Sequence, residues 1–392
     1  MDIKGAFNTA RVFTDNIDAN CIDQIKSICN LKIFKGKKIR VMPDVHAGKG
    51  SVIGLTINCG KNPQYIVPNI IGVDIGCGVL TVELGKIDVN FKSLDNFIRT
   101  AIPHGHNVNK VFSEKLYPEI FLNKIKKISK KTNTDYTKNI ASLGSLGSGN
   151  HFIEIDSNSK GELFLLIHSG SRHFGHQIAQ HHQKIADITC YKELPRDLKY
   201  LTGNYVDEYL KDMKFAEMFA TVNRLQMAEK ILDYLNINDV LLKETIYNIT
   251  SEKKDFLRVK NLFFWETVHN YFDFEDGILR KGAVSAHKNE KLLIPFNMRD
   301  GAIIARGKGV DEWNYSAPHG AGRLMSRNKA KELLTLEEFK NSMDGIYTTS
   351  VSKKTLDEAP GAYKCKNDII NLLKNTVDIV DEILPLYNFK AE

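Results

Sequence analysis

Metal-type side chains stand alone along this chain, each beside glycine or where an apolar run stops: Asp74, Cys77, His151, His168 and His269. A sixth, His319, lies in Tyr315-Ser-Ala-Pro-His-Gly-Ala-Gly-Arg323, which reads as flexible backbone meeting a helix start. A carboxylate, a thiolate and imidazoles at strand ends make a donor set suited to a divalent cation. A further histidine beside a phosphate-friendly helix terminus suits phosphoryl or nucleotidyl transfer. The expected class is a metal-dependent nucleotidyl-transfer enzyme.

Composition narrows the setting. The 392 residues are 42% apolar and 26% charged, as in a soluble globular protein rather than a disordered or membrane-embedded one. No apolar run reaches the roughly 18 residues of a membrane span, and the amino-terminal stretch lacks a secretory pattern, so a cytoplasmic location is expected. Cysteines 21, 29, 59, 77, 190 and 365 are scattered without a C-x-x-C pair, which fits reduced thiols. The net charge of +7 suits a polyanionic partner, although lysine-rich solvated helices give the same excess.

The pattern predicts a single catalytic domain over 1–392, of mixed α/β class, with a helical accessory lobe at about 190–258. One helix is expected around Ile17–Leu31 in a lead segment. Short β-type runs follow at Val52–Ile57, Tyr65–Val67 and Gly78–Leu84, then amphipathic segments at Leu94–Ile102 and Val111–Ile128, with Ser129–Asn139 as a surface connection. Strands are expected again at Phe152–Ile155 and Leu163–His168, with a helix from about Phe174 to Ile188. Further strands fall at Leu262–Val268, Ile278–Val284, Lys291–Ile294 and Ala302–Arg306. The chain then turns helical near Ala321–Leu334, Leu336–Met343 and Asn367–Leu384.

The chemistry sits in short strings. In Val73-Asp-Ile-Gly-Cys-Gly78 the carboxylate and thiol are three residues apart on a glycine-loosened turn, near enough to share one ion and for the thiolate to bridge a second. A lone cysteine there would read as core, and the downstream histidines tip the balance to ligation. Ser145-Leu-Gly-Ser-Gly-Asn-His-Phe-Ile-Glu154 offers His151 to a metal, Asn150 to phosphate oxygens and Glu154 to a ligand hydroxyl. His168 ends an apolar strand, with Arg172 beyond it placed to clamp a phosphate, and His269-Asn270 repeats that device. His173, His176, His181 and His182 fall in a polar helical segment and receive no role. Asp44 and His46, in Met42-Pro-Asp-Val-His-Ala-Gly-Lys-Gly50, read as supporting groups, and the string lacks the Gly-Lys-Ser/Thr ending of a P-loop.

Taken together, these strings resemble the RtcB family of GTP-dependent RNA-splicing ligases. The matching segments also include Arg280-Lys-Gly-Ala-Val-Ser-Ala, His319-Gly-Ala-Gly-Arg323 and Ala362-Tyr-Lys364, and they follow family order across nearly the whole chain. The resemblance implies an RtcB-type α/β core and two Mn²⁺ ions bridged by Cys77. One ion would also be held by Asp74 and His151, the other by His168 and His269. It implies Asn150, Glu154, Arg323 and Lys364 at the guanylate site, His319 as the nucleophile that carries GMP, and Asp44 as a catalytic support. The implied substrates are RNA ends, a 3′-phosphate or 2′,3′-cyclic phosphate and a 5′-hydroxyl, with no membrane partner.

Two strings depart from the family. Where a small-residue loop of Pro-Gly-Ser-Met-Gly type is usual, this chain has Ile294-Pro-Phe-Asn-Met-Arg-Asp-Gly301, and the usual Tyr-Lys-Asp is Tyr363-Lys364-Cys365. Both border the nucleotide in the resemblance. The alternatives are a two-metal phosphoesterase acting on nucleic-acid ends, which would not need His319, and a noncatalytic RNA-binding accessory protein, which would not need an intact ligand set.

Overall fold

A computed structural model of the chain describes residues 1–237, 249, 258–259 and 262–391. Two large sheets organise it. The first runs β1 (Asp2–Lys4), β2 (Thr9–Val12), β3 (Lys38–His46), β4 (Ile53–Asn58), β13 (Ile278–Lys281), β12 (Asn270–Phe272), antiparallel except for the β2–β3 pair. The second runs β10 (Arg258–Val259), β11 (Leu262–Val268), β6 (Gly78–Gly85), β8 (Leu163–Ser169), β7 (Phe152–Ser157), β18 (Val377–Lys390), β16 (Gly301–Gly307), β15 (Lys291–Asn297), antiparallel throughout. Two-stranded pairs join β5 (Tyr65–Ile66) to β9 (Leu201–Thr202) and β14 (Ala283–Ser285) to β17 (Ser316–Pro318).

Apolar alternation explains the second sheet. One face carries Ile153, Ile155, Leu165, Ile167, Tyr387 and Phe389 into a large core, against helices α3 (Phe91–Ala101) and α7 (Asn204–Tyr234). The opposite face carries Val79, Phe152, Phe164, Leu166 and Trp265 into a smaller cluster. The other large core joins the first sheet to α1 (Ala19–Cys29), α2 (Pro68–Ile71), α4 (Glu119–Thr132), α5 (Tyr136–Ala141) and α6 (Arg172–Thr189).

Several sequence expectations need correction. The Asn367–Leu384 segment is a helix only over Lys366–Leu373, and the rest belongs to the long strand β18. Two register shifts in β18, one of them at Pro385, break its period-two alternation, so its apolar residues fall at helix-like intervals. Of Ala321–Leu334 only Arg327–Leu333 is α-helical, and the amphipathic segment Val111–Ile128 becomes α-helical at Glu119. The proposed surface connection Ser129–Asn139 contains the start of α5, capped by Asp135, and buries Ser129 and Asn139, which hydrogen-bond to each other at 2.9 Å. The lead segment adds the β1–β2 hairpin.

The stretch expected as a helical lobe, 190–258, lies partly outside the described residues. Its main described element, α7, runs 31 residues and buries Phe215 and Phe219 in one large core and Leu225 and Ile231 in the other. Arg224 on this helix is fully buried. Its guanidinium bonds Glu266 at 2.7 Å, the Gly76 carbonyl at 2.8 Å and the Ser169 carbonyl at 2.7 Å, tying the helix to the turns next to Cys77 and His168. Removing one partner of a buried ion pair strands the other and typically costs about 3–5 kcal/mol. Arg224→Ala is therefore expected to lower unfolding free energy by about that amount in urea melts. A loss under about 1 kcal/mol would show that the contact is not structural.

Candidate active site

Strand register assembles the site. Antiparallel pairing sets Val268 opposite Gly78, Gly78 opposite Ser169, Val79 opposite His168, and His168 opposite Phe152. The residues just beyond these pairs are His269 after β11, Cys77 before β6 and His151 before β7, so four donors meet at one edge of the sheet. The His269 amide donates to the Cys77 carbonyl at 2.9 Å, which locks this corner.

The donor atoms converge as two groups sharing one sulfur. Asp74, Cys77 and His151 form the first and Cys77, His168 and His269 the second, with the ligand atoms of each group within 4.8 Å of one another. Cys77 Sγ lies 3.5 Å from His151 Nε2 and 3.3 Å from His168 Nε2. His151 Nε2 is 3.0 Å from Asp74 Oδ2, and His168 Nε2 is 3.2 Å from His269 Nε2. Two nitrogens on one tetrahedral ion, each about 2.05 Å from it, sit about 3.3 Å apart, so these spacings are those of ligands rather than of a packed core.

Electrostatics points the same way. Burial, then the neighbouring histidines, holds His168 far below the usual imidazole range, and burial with the adjacent His319 does the same for His269. Both are therefore neutral donors. Burial and the Asp74 charge push the Cys77 thiol well up, so without a cation it keeps its proton. Asp74 feels burial as a raising influence, but His151 and Arg172 outweigh it and hold it low. His151 Nδ1 is 2.8 Å from the Leu146 carbonyl, which orients the ring so that Nε2 faces Asp74 and Cys77. Asp74 Oδ1 is buried without a partner among the described residues. The donor set fits two divalent cations.

His319 stands at the rim of the second group, its ring centroid 4.8 Å from that of His269. It does not open a helix, as the sequence suggested. It follows strand β17, and the next α-helix starts only at Arg327. The glycines after it serve close packing instead: a Cβ at Gly322 would meet the Asp44 carbonyl at 2.1 Å. Asp44, fully buried, accepts from His319 Nδ1 at 2.6 Å and from the His319 amide at 3.1 Å. In the neutral ring this bond keeps the hydrogen on Nδ1 and leaves the lone pair on Nε2, the form a nucleophilic imidazole requires.

Residues 24–391 match the family model described as tRNA-splicing ligase RtcB. The chain belongs to the RtcB family. It is 33% identical over 383 residues to the RNA-splicing ligase RtcB of Escherichia coli, covering 90% of this chain and 89% of that protein. It is 27% identical over 443 residues to the tRNA-splicing ligase RtcB of Aeropyrum pernix, covering 91% and 89%.

Within this RtcB protein the expected nucleotide residues divide into two settings. Asn150 is half-buried in the turn before β7, while Glu154 is buried on the face that carries His168 and accepts from Asn388 Nδ2 at 2.6 Å. Lys364 donates to the Pro43 and Val45 carbonyls at 3.1 and 2.7 Å, either side of Asp44, and its amide donates to Gly322 at 3.0 Å. Arg323 is paired with Glu358 at 3.2 Å. Of the two departures, Phe296 and Met298 turn into apolar clusters, whereas Cys365 is exposed.

Sequence reasoning missed Arg224, which reads as a solvated helix residue, and undervalued Asn270, whose side chain donates to the Asp74 carbonyl at 3.2 Å and accepts from the Gly282 amide at 3.0 Å. The recurrence of asparagine beside histidine was its signal. In a third acid and histidine group the carboxylates are already paired: Asp273 and Asp276 meet the Arg280 guanidinium at 3.2 and 2.8 Å, and His287 Nε2 is 3.0 Å from Asp276.

Because the Cys77 thiol is protonated when free and a ligand must be a thiolate, cation binding releases a proton and tightens as pH rises. Calorimetric titration with Mn²⁺ at several pH values checks the sign, and affinity unchanged between pH 6 and 8 would contradict it. Cys77→Ala is expected to keep the fold and to lose bound metal from both groups.

Proposed function

We propose that this protein is an RNA ligase of RNA repair or tRNA splicing, joining a 2′,3′-cyclic phosphate or 3′-phosphate end to a 5′-hydroxyl end with GTP and two Mn²⁺ ions. The observation that carries the reading is the Asp44-held, bare Nε2 of His319 beside two cation-binding groups that share Cys77. A hydrolytic two-metal enzyme has no need of that imidazole. Asp74, Cys77 and His151 would hold one ion, and Cys77, His168 and His269 the other. Bound there, the ions supply positive charge against the triphosphate and the RNA phosphate.

Water first opens a cyclic phosphate to a 3′-phosphate. His319 Nε2 then attacks the α-phosphorus of GTP: an N–P bond forms, the bond to the β-phosphate oxygen breaks, and pyrophosphate leaves. The imidazole becomes cationic in this step, and the Asp44 carboxylate on Nδ1 offsets the charge. An oxygen of the RNA 3′-phosphate takes GMP and frees His319. The 5′-hydroxyl then attacks the activated 3′-phosphorus, its proton passes to solvent, and GMP departs. Asn150, Glu154, Arg323 and Lys364 are assigned to orienting the nucleotide, Lys364 through the Asp44 strand.

Incubation with α-labelled GTP and Mn²⁺ tests the reading, with label expected on wild type and none on His319→Ala. That variant should still join a ready-made RNA-3′-pp-5′-G end to a 5′-hydroxyl. Asp44→Asn should label more slowly by about 10⁴-fold, the scale of losing a carboxylate that orients an imidazole and offsets its charge. Label on His319→Ala, or none on wild type, returns the choice to a phosphoesterase.

A further inference from the structure

Asp44 holds two imidazoles. Its carboxylate takes His319 Nδ1 at 2.6 Å, and its backbone carbonyl takes His46 Nδ1 at 2.9 Å. The two rings stand side by side, centroids 6.4 Å apart and planes 23° from parallel. A carbonyl can only accept, so in the neutral ring the hydrogen of His46 sits on Nδ1 and the lone pair on Nε2. That Nε2 has no partner among the described residues and, in a half-buried side chain, is open to solvent. The setting is built. His46 ends β3, paired with Ile53, and Lys364 fixes the strand through the Pro43 and Val45 carbonyls on either side of Asp44. Two residues on, Gln24 clamps Gly48 from both sides: its Nε2 donates to the Gly48 carbonyl at 2.9 Å, and its Oε1 accepts from the Gly48 amide at 3.3 Å.

Sealing is the step that needs such a nitrogen. Attack by the 5′-hydroxyl sheds a proton, whereas passage of GMP onto His319 and off again sheds none. The other groups at the site are committed. His151, His168 and His269 turn ring nitrogens to the cation groups, Asp44 is buried against His319, and Glu154 is buried against Asn388. His319 itself is not required once the RNA end carries GMP. His46 remains, an imidazole beside the nucleophile with a lone pair that nothing holds. Burial lowers it to about 4, so the ring is neutral at neutral pH. Asp44 also has a second carboxylate oxygen, Oδ1, buried without a partner among the described residues, so its charge can serve a second imidazolium. The two rings would call on that charge in turn, because His319 is neutral again before sealing begins.

We infer that His46 is the general base of sealing. Its Nε2 takes the proton of the 5′-hydroxyl as the bond from that oxygen to the 3′-phosphorus forms and the bond to GMP breaks, and the imidazolium then gives the proton to solvent. The inference rests on the ligase reading for the identity of the hydroxyl.

The test follows single-turnover sealing of a ready-made RNA-3′-pp-5′-G end to a 5′-hydroxyl RNA by the Mn²⁺-loaded full chain, beside labelling from α-labelled GTP. His46→Ala and His46→Asn should each slow sealing by about 10²–10⁴-fold, the loss expected with a general base, and slow labelling much less. The asparagine amide can donate to the Asp44 carbonyl as Nδ1 does, so the second variant keeps the strand in place. Added imidazole should restore part of the sealing lost in His46→Ala. The rescue should grow as pH rises through about 6.5, because only the neutral form accepts a proton. Sealing at the wild-type rate in either variant, or sealing lost without rescue, overturns the general base alone when wild type takes label and seals. An equal loss of sealing, label and bound Mn²⁺ marks His46 as structural and overturns it too. Wild type that neither takes label nor seals overturns the ligase reading, and the base with it.

Discussion

Everything at the ion-binding edge hangs on the register of β6 against β8. Because strand side chains alternate, a slip of one residue would send His168 to the opposite face, into the core lined by Leu165 and Ile167, and carry Cys77 away from His151. Apolar burial on both faces makes that slip costly. Glycine at 78 adds a steric key, since a Cβ there would meet the Thr267 carbonyl at 2.6 Å on the neighbouring strand. Ordinary packing energy thus places the ligand nitrogens, and Arg224 fixes the turns on either side from the helix behind them.

The histidines are specialised by their partners. Burial holds His168 and His269 far below the usual imidazole range, while the Leu146 carbonyl orients the ring of His151. Asp44 orients that of His319. His46, two residues from Asp44, has its Nδ1 held by the Asp44 carbonyl at 2.9 Å, and burial lowers it to about 4. Segments far apart in the chain, Met42–His46, Pro318–Arg323 and Ala362–Lys364, therefore form one tightly bonded unit around His319.

How much of this was legible follows from which signals are local. Asp74, Cys77, His151, His168 and His269 stood out as candidates because each lies beside glycine or where an apolar run stops, and the fold brings their donor atoms together. The helices at 91–101 and 172–189 declared themselves by periodicity. Strand β18 did not, because bulges scramble its alternation and its two partners lie elsewhere in the chain. The glycines around His319 suggested a helix entry, whereas Gly322 admits the Asp44 backbone and Gly320 the Pro295 carbonyl, long-range contacts that no local pattern records.

Strand β18 also constrains how the molecule comes into being. It follows every other strand of its sheet in the chain, yet lies between β7 and β16. A nascent chain released only as far as Asn375 would hold two half-sheets, one ending at β7 and one at β16, each with a raw edge. Such edges recruit foreign strands, so the interval before β18 inserts is the one in which this protein is most exposed to aggregation during synthesis. A late-arriving strand acts as a zip, and chaperone demand should fall abruptly once it closes.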